Sequence, residues 1–321
     1  MSDNRIVYMG TPDFAVAGLR ALVENGYNVV AVVTMPDKPA GRGHKVQFSP
    51  VKQYALEAGL PVLQPEKLKA PAFVEELASY HADLQIVVAF RMLPEVVWSM
   101  PRLGTFNLHA SLLPQYRGAA PINWAIIHGD AESGVTTFFL DHEIDTGRII
   151  HQERVPIGPD DNAGDLHDRL MLVGSQLVLR TVEDILANNV TPIAQDEYTN
   201  SSEPLRHAPK IFKETCRIQW TQHTVQTAHN FVRGLAPYPA AWTELVCGEQ
   251  RHVVKVYAAV RQFTAHQLPV GTVQVDKEQR LCVALPDGFL CITSLQIAGK
   301  KRMATADFLR GFKLTDDAHM E

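Results

Sequence analysis

The stretch that indicates the fold is RIVYMGTPDFAVAGLRALVENGYNVVAVV, residues 5–33. Residues 5–9 form an apolar run that ends at a Gly-Thr-Pro turn, and the apolar residues of 13–25 recur at the spacing of a helix. A second apolar run over 28–33 follows an Asn-Gly turn, so the pattern predicts strand, helix and strand in succession. This opening is typical of a doubly wound, mostly parallel α/β sheet, which holds ligands beyond the carboxyl ends of its strands.

The α/β pattern continues to about residue 188, after which the texture of the sequence changes. Residues 189–206 are polar, contain prolines and are interpreted as a linker. The remainder, 207–321, has a helical pattern over 221–233 followed by short β-like runs. These runs predict a small antiparallel β-barrel, resembling an oligonucleotide-binding (OB) barrel. We therefore expect a domain over 1–188, a linker over 189–206 and a second domain over 207–321. In the first domain, further strands are expected at 84–89, 104–109, 135–140 and 149–157, and helices near 49–59, 71–80, 94–100, 119–128 and 163–188.

The composition is that of an ordinary globular protein, with 46% hydrophobic and 20% charged residues. It argues against a mainly disordered chain, and no run approaches the roughly 20 apolar residues of a membrane span. The first residues include an acidic side chain and lead directly into a predicted strand, a pattern that does not match a secretory signal peptide. We therefore expect a cytoplasmic protein. Four cysteines without a CxxC pair suit a reducing compartment better than a disulfide framework or a zinc site; they are Cys216, Cys247, Cys282 and Cys291.

The charge is divided unevenly along the chain. Residues 207–321 carry 14 basic and 10 acidic side chains, whereas residues 1–206 carry 16 basic and 25 acidic ones. A positive segment joined to an acidic one is consistent with a polyanionic partner on one side. Ordinary scatter of surface charge explains the same numbers, so the charge alone does not decide between them.

The turn after the first strand does not match a dinucleotide-binding loop. That fingerprint needs three glycines at fixed offsets, and only Gly10 is present here. Asp13 at the start of the helix would repel a phosphate and suits a helix cap better. A nicotinamide-dependent dehydrogenase is therefore a weak alternative.

The stretch GTFNLHASLLPQYRGAAP, residues 104–121, carries candidate catalytic groups. On a strand, Asn107 and His109 point to the same face, at the carboxyl end where an open sheet keeps its site. An amide N–H and an imidazole together can hold an oxyanion. A histidine at a strand end is also often structural, so the pair by itself leaves both interpretations open.

A carboxylate for this pair comes from the turn Asp145-Thr146-Gly147, which follows an apolar strand. A carboxylate beside the imidazole of His109 would orient the ring and favour its charged form. A metal site that includes Asp141, His142 and Glu143 is the alternative. Because neither an HxH pair nor an HExxH motif is present, we expect these three residues to be solvated loop charges and expect no metal.

These residues resemble a known family, the N-formyltransferases that use 10-formyltetrahydrofolate. FNLHASLLPQYRGAAPINWAI and GVTTFFLDHEIDTGRII match the family's Asn-x-His, Ser-Leu-Leu-Pro-x-x-Arg-Gly and downstream Asp. The resemblance implies that Asn107, His109 and Asp145 are catalytic. Asn107 and protonated His109 would stabilise an oxyanion while Asp145 orients the ring.

Three further regions resemble the members of this family that formylate initiator methionyl-tRNA. They are the opening GTPDFA, the loop PDKPAGRGHKVQFSPVKQYA, and the segments VRGLAPYPAAWTEL and LQIAGKKRM of the second domain. The resemblance implies that the chain transfers a formyl group to the α-amino group of methionyl-tRNA and that residues 207–321 bind tRNA. Phe14 and Trp124 are candidates for the pocket of the methionyl side chain and equally for the core, which is the simpler assignment for each ring alone. The tRNA-binding candidates are Arg42, Lys45, Lys210, Arg233, Lys300 and Lys301.

The resemblance departs from the family's pattern at residues 89–94, AFRMLP. The family has Ala-Tyr-Gly there, whereas this chain lacks the glycine and the loop is shorter by about one residue. Folate binding through backbone groups and apolar side chains is still expected, with Arg91 directed to solvent. The folate-binding candidates are Phe90, Met92, Leu93, Ser111, Leu112, Leu113, Pro114, Asp141 and Ile144.

Formyl transfer to an amine suits this set of residues. An α-amino group has a pKa of about 7.7–8.0, so no strong base or protein nucleophile is needed. Three other functions are alternatives to this one.

A formyltransferase acting on an amino-sugar nucleotide is the alternative most similar in chemistry. A glycinamide formyltransferase would need no second domain, and a non-enzymatic RNA-binding protein would not need the three aligned polar residues. We expect a monomer.

Overall fold

A computed structural model describes residues 4–40, 45–198 and 204–321 of the chain. The chain divides into two compact units. The first unit consists of Met1–Gly118, Ser133–Pro156 and His167–His207, and the second of Ala119–Glu132, Ile157–Leu166 and Ala208–Glu321. Both units therefore take in segments from more than one part of the chain.

The elements up to residue 188 alternate between strands and helices, as the sequence predicts. Their bounds are β1 (Ile6–Gly10), α1 (Asp13–Glu24), β2 (Val29–Val33), β3 (Lys38–Ala40), β4 (Lys45–Gln47), α2 (Pro50–Glu57), β5 (Val62–Leu63), α3 (Pro71–Ser79), β6 (Leu84–Val88), α4 (Glu95–Trp98), β7 (Thr105–His109), β8 (Arg117–Gly118), α5 (Pro121–Ile127), β9 (Glu132–Phe139), β10 (Ile149–Pro156) and α6 (Ala163–Leu186).

In the described part of the first unit, seven strands form one sheet in the order β10-β9-β7-β6-β1-β2-β5. The strands from β7 to β5 pair in parallel, and β9 pairs antiparallel with β7. The chain moves from β1 outward to β5 and then returns to β6 on the other side of β1. The carboxyl ends of β1, β6 and β7 therefore meet at one edge, where an open sheet of this kind binds ligands.

The central strands are mostly apolar, as expected where helices cover both faces of a parallel sheet. Every residue of β1 and β6 is buried, and Tyr8 and Phe106 are among the largest side chains with no exposed surface. Burial raises the pKa of Tyr8, whose hydroxyl donates a 2.6 Å hydrogen bond to the carbonyl oxygen of Ala15. The first unit thus has its core around the strands whose ends carry the candidate site.

The second unit is built around an antiparallel sheet that curls into a nearly closed barrel. Its strand order is β14-β15-β16-β13-β12-β18, with β17 on the side of β16. A bridge between Thr272 and His319 brings the two ends of the sheet together. The short strand β11 (His207–Ala208) spans the boundary between the units, and the elements that follow are α7 (Val225–Leu235), β12 (Ala241–Cys247), β13 (Gln250–Gln262), β14 (Val273–Val275), β15 (Leu281–Leu285), β16 (Gly288–Ile297), β17 (Met303–Ala304), α8 (Thr305–Gly311) and β18 (His319–Met320).

The two architectures confirm the predicted fold class, a mostly parallel α/β sheet followed by a small β-barrel. The barrel core is packed between the strands and α7, whose buried side chains include Val225, Phe231 and Leu235. A capping box at Thr224 and Thr227 begins this helix. None of the described helices is long and apolar enough to cross a membrane.

One expectation from the sequence needs correction. Cys282 and Cys291 lie directly opposite each other on β15 and β16 and form a disulfide, although the absence of a CxxC pair argued against one. Within the segment interpreted as a linker, Gln195–Tyr198 form a short 3-10 helix and Gln195 is buried. The disulfide depends on the register of two neighbouring strands, and the burial of Gln195 depends on contacts with residues distant in sequence.

Candidate active site

Asn107 and His109 lie at the carboxyl end of β7, between β6 and β9. His109 is buried and Asn107 is half-buried. Among the described residues, no protein group forms a hydrogen bond with the side-chain amide of Asn107. The amide is also not one of the fully buried polar atoms that lack a partner. The amide is therefore free to donate to a bound molecule.

The imidazole of His109 is held by one of its two nitrogens. Nε2 lies 2.9 Å from the carbonyl oxygen of Tyr116. A carbonyl only accepts hydrogen bonds, so Nε2 carries the proton in this contact. Nδ1 is then an acceptor in the neutral ring and becomes a donor when the ring is protonated.

Asp145 meets the ring on the Nδ1 side. Its Oδ2 lies 3.9 Å from Nδ1 of His109 and accepts a 2.9 Å hydrogen bond from the backbone N–H of Gly118. The backbone of Asp145 has a φ of 56°, in the left-handed region that non-glycine residues rarely adopt. The structure therefore brings together the three side chains that the sequence placed in the active site.

The turn that carries Asp145 depends on a glycine two residues later. A Cβ built on Gly147 would lie 1.7 Å from the carbonyl oxygen of Phe139. No side chain fits at that distance, so the Asp-Thr-Gly turn can close against β9 only with glycine at this position.

The loop after β7 is held in shape by the hydroxyl of Thr136. This hydroxyl donates to the carbonyl oxygen of Ser111 and accepts from the backbone N–H of Leu113, at 2.6 and 3.1 Å. The Ser111 hydroxyl donates a 2.6 Å bond to the carbonyl of Gln115. These contacts fix the path of the chain from His109 to Tyr116, whose carbonyl holds the imidazole.

The folate-binding candidates fall into two groups. Met92 and Ile144 are 75% and 63% exposed, Asp141 is exposed, and Phe90 and Leu112 are half-buried, so these side chains are accessible to a ligand. The side chains of the other candidates are buried, so these residues can contact a ligand only through their main-chain groups. They are Leu93, Ser111, Leu113 and Pro114. Leu93 and Leu113 belong to the hydrophobic core, and the Ser111 hydroxyl is already bonded. Folate binding at these residues stays a prediction.

Arg91 does not point to solvent as expected. Its guanidinium donates to the carbonyl oxygens of Pro65 and Glu66, and partial burial lowers the pKa of the group. Arg91 therefore anchors the shortened 89–94 loop to the segment after β5.

Phe14 is packed rather than open. It is buried on α1, and the centroid of its ring lies 5.3 Å from that of His167. Trp124 of the second unit is half-buried, and its indole N–H donates to the carbonyl of Pro209. These positions favour structural contacts for both aromatic rings over direct roles in a substrate pocket.

The basic candidates of the second unit separate into exposed and buried residues. Lys210, Lys300 and Lys301 are exposed, whereas Arg233 is only 7% exposed. The Arg233 guanidinium donates to the carbonyl oxygens of Gly158 and Asp161, at 3.2 and 2.8 Å. These contacts occupy the guanidinium inside the unit, and tRNA binding by Arg233 stays a prediction.

The remaining two candidates lie on the segment 38–47. Arg42 lies outside the residues that the structure describes, and Lys45 is the first residue of the strand β4. Among the described residues, Asp276, Cys282 and Cys291 of the barrel lie close enough together to be considered for a metal ion, but the two cysteines are joined in a disulfide. His109 and Asp145 are not part of that group.

Comparison with known proteins assigns both units to one family. The Formyl transferase family model matches residues 4–182, and the Formyl transferase, C-terminal domain model matches residues 210–313. A curated methionyl-tRNA formyltransferase from Bacteroides thetaiotaomicron is 65% identical over 319 residues, which are 99% of this chain and 98% of that protein. The chain belongs to the methionyl-tRNA formyltransferase family. A second member, from Parabacteroides distasonis, is 62% identical over 313 residues, 97% of this chain and 96% of that protein.

Solved structures agree with the formyltransferase fold at low identity. HypX from Aquifex aeolicus in complex with tetrahydrofolic acid has a TM-score of 0.65 at 20% identity, covering 96% of this chain and 47% of that chain. The sugar 3N-formyl transferase WlaRD has a TM-score of 0.62 at 20% identity, covering 94% of this chain and all (100%) of that chain. At this level of identity the likeness concerns the fold alone.

Two groups at the site had no signal in the sequence. One is the main-chain carbonyl of Tyr116, which holds the imidazole. The other is the side chain of Gln195, which contacts the turn that carries Asp145. A main-chain acceptor has no residue type to recognise, and Gln195 lies in a polar segment with the composition of a linker.

Proposed function

We propose that the chain transfers the formyl group of 10-formyltetrahydrofolate to the α-amino group of initiator methionyl-tRNA. The observation that carries the proposal is the orientation of His109. Because Tyr116 holds Nε2, Nδ1 is the nitrogen that faces Asp145 and an incoming substrate. Asn107, on the same strand, adds an amide with no protein hydrogen-bond partner among the described residues.

The nucleophile in this reaction is the substrate's own amine. With a pKa of about 7.7–8.0, an appreciable fraction of an α-amino group is neutral near neutral pH. It attacks the formyl carbon, so that a new C–N bond forms and the carbonyl oxygen takes up negative charge. The task left to the protein is to stabilise that charge and to move one proton.

Asn107 and protonated His109 supply the stabilisation. The amide N–H and the Nδ1–H of the charged ring donate to the oxyanion, and a donor of this kind contributes about 3 kcal/mol to transition-state binding. When the intermediate collapses, the bond from the formyl carbon to N10 breaks and N10 takes a proton. Asp145 accepts a proton from the attacking amine and relays it to N10, which gives the formamide and tetrahydrofolate.

The accessible folate candidates fit an amphipathic co-substrate. Met92 and Ile144 offer exposed apolar surface, and Asp141 offers a carboxylate that can accept from ring N–H groups. We propose that the co-substrate lies against these residues and against backbone groups of the 111–114 loop. The reaction as written needs no metal.

The second unit offers two groups of exposed or half-buried cations beside aromatic rings. Lys213 and Arg217 lie over the ring of Trp242, with Lys210 over Phe212 nearby in sequence. In the second group, Arg302 lies 4.6 Å from the centroid of the Tyr257 ring. Arg302 follows Lys300 and Lys301 in the sequence. Cations of this kind bind phosphates, and exposed rings can stack on unpaired bases. We propose that residues 207–321 bind the tRNA and that residues 1–188 hold the chemistry, joined by 189–206.

We further propose that Arg42 and Lys45 contact the tRNA acceptor end and that the enzyme acts as a cytoplasmic monomer. The glycines on both sides of Arg42 would let this loop order on nucleic acid. Gel filtration of the purified chain tests the monomer, since a dimer would elute at twice the 35.6 kDa of one chain.

The test offers the full chain three acceptors with 10-formyltetrahydrofolate: initiator methionyl-tRNA, an amino-sugar nucleotide and glycinamide ribonucleotide. The proposal expects N-formylmethionine on the tRNA and at most trace formylation of the two small acceptors. A higher kcat/KM with the amino-sugar nucleotide than with tRNA would replace the proposal by the sugar formyltransferase. Tight tRNA binding without formylation of any acceptor would indicate an RNA-binding protein.

A further inference from the structure

Gln195 is a buried amide that joins two segments of the candidate site. Only 3% of its surface is exposed. Its Nε2 donates to the carbonyl oxygens of Asp145 and Gly147, each at 2.9 Å. Its Oε1 accepts from Nε and Nη2 of Arg117, at 3.0 and 2.6 Å. Both donors of the amide and its acceptor are therefore used.

The two segments that Gln195 joins are the ones that position the Asp145 carboxylate. One is the turn 145–147, where Asp145 has a left-handed backbone. The other is β8, where the N–H of Gly118 donates to Oδ2 of Asp145. Gln195 thus contacts the main chain of Asp145 directly. It also contacts Arg117, whose neighbour Gly118 binds the Asp145 carboxylate.

The left-handed backbone of Asp145 makes such support necessary. A non-glycine residue in this conformation is strained, and it persists only where surrounding contacts determine it. The hydrogen bonds of Gln195 to the carbonyls on both sides of Thr146 are contacts of this type. Without them, the turn can relax and move the carboxylate away from His109.

We infer that Gln195 is a positioning residue for the Asp145 carboxylate, an inference that rests on the proposed formyl transfer. Arg117 is part of the same hydrogen-bond network, because its guanidinium donates two hydrogen bonds to Oε1 of Gln195. The family motif residue Arg117 therefore acts on the turn through Gln195. A displacement of about 1 Å at a catalytic group can cost on the order of 100-fold in rate.

Gln195→Glu is the most selective substitution. It keeps the size of the side chain and an acceptor for Arg117, but it replaces the two N–H donors by an oxygen that faces two carbonyls. We expect kcat for methionyl-tRNA formylation to fall about 10- to 100-fold. KM for 10-formyltetrahydrofolate and for tRNA should stay within about twofold, because Gln195 has no proposed contact with either substrate. Gln195→Asn retains the amide on a shorter stem and should give a smaller loss of kcat.

The decisive measurement is a double-mutant cycle with Asp145→Asn, whose wild-type reference is the full chain. If Gln195 acts through Asp145, Gln195→Glu lowers kcat by no more than about threefold in the Asp145→Asn background. Gln176→Glu, an exposed exchange of the same chemistry in the first unit, should leave kcat unchanged in both backgrounds. Near-ultraviolet circular dichroism checks that each variant is folded.

The outcomes separate this inference from the proposed function. Equal fold-losses from Gln195→Glu in the two backgrounds would overturn the positioning role, and so would full activity of both Gln195 variants. A fully active Asp145→Asn enzyme would instead remove the catalytic role of Asp145 itself. If Gln195→Glu does not fold, the same cycle with Gln195→Asn decides the question by the same criterion.

Discussion

Oδ2 of Asp145 lies 3.9 Å from Nδ1 of His109, farther than a direct hydrogen bond between the two groups. The opposite nitrogen of the ring is held by the carbonyl of Tyr116, so the ring cannot turn to close that distance without losing a buried contact. The gap between carboxylate and imidazole therefore leaves both groups able to contact a reacting molecule. This relationship underlies the first two predictions.

Replacing His109 by alanine should lower kcat for methionyl-tRNA formylation about 100- to 1,000-fold, because one oxyanion donor is lost. KM for both substrates should change little. His142→Ala is the matched control, since His142 is an exposed loop histidine of the same unit and should leave kcat unchanged. Steady-state kinetics of the two variants is the measurement, and near-normal turnover of His109→Ala would exclude the ring from the reaction.

Replacing Asn107 by alanine should also lower kcat about 100-fold but leave the free energy of unfolding nearly unchanged. The amide has no protein hydrogen-bond partner among the described residues, so folding does not depend on it. Asn123→Ala gives the opposite pattern, because its amide donates a 2.7 Å bond to the carbonyl of Gly234. That variant should lose about 1 kcal/mol of stability with normal kcat. Urea unfolding and kinetics on both variants test the contrast, which a stability loss in Asn107→Ala would contradict.

Gly147→Ala should destabilise the fold strongly, by about 3 kcal/mol or more, because the new Cβ collides with the carbonyl oxygen of Phe139. Gly311→Ala is the control, since a Cβ there meets no atom within 4 Å. The measurement is the free energy of unfolding in urea. Equal stability of the two variants would show that the 145–147 turn tolerates a side chain and that the close approach to β9 is not required.

Lys300→Ala combined with Lys301→Ala should weaken tRNA binding and reduce its dependence on salt. Each phosphate contact contributes about one unit to the slope of log affinity against log salt concentration. Lys69→Ala, at an exposed lysine of the first unit, should leave the slope unchanged. Binding titrations at several salt concentrations measure it. An unchanged slope in the double variant would remove these two lysines from the tRNA interface.

The stability of the second unit should fall with acid because of one histidine. Burial, together with the charges of Arg261 and Arg233, lowers the pKa of His229 to about 4. An unfolded chain would have it near 6.5, so between those values the unfolded state binds the proton and the folded state does not. Stability is therefore complete above about pH 6.5 and falls as the pH drops toward 4, by about 2 kcal/mol at about pH 5.

His229→Gln should remove this part of the pH dependence, whereas His142→Gln, at an exposed site, should retain it. Asp160, with Oδ1 at 3.7 Å from Nε2 of His229, acts in the opposite direction and limits the effect. Urea unfolding at about pH 7 and about pH 5 gives the comparison. A wild-type loss identical to that of His229→Gln would assign the acid sensitivity to other groups.

Much of the architecture could be predicted from local pattern. The apolar runs at 5–9 and 28–33 are strands because helices cover both sides of a parallel sheet, which leaves no polar face to interrupt them. The alternation of Asn107 and His109 on one strand placed both at the same sheet face. The strand Ala241–Cys247 was missed, because it follows the proline-rich PYPA turn and its sequence, AWTELVC, lacks a regular alternation of apolar and polar residues.

The amino-acid sequence by itself determined the order of the elements, the two architectures and the residue types of the catalytic set. Those properties follow from side-chain periodicity and from chemistry that a short motif carries intact. Tertiary structure alone decided which groups have partners: the Tyr116 carbonyl on His109, the Gln195 amide under Asp145, the burial of Arg233 and the Cys282–Cys291 disulfide. The first three depend on main-chain atoms or on residues distant in sequence, and the disulfide depends on the exact register of two neighbouring strands. A short motif specifies none of these contacts.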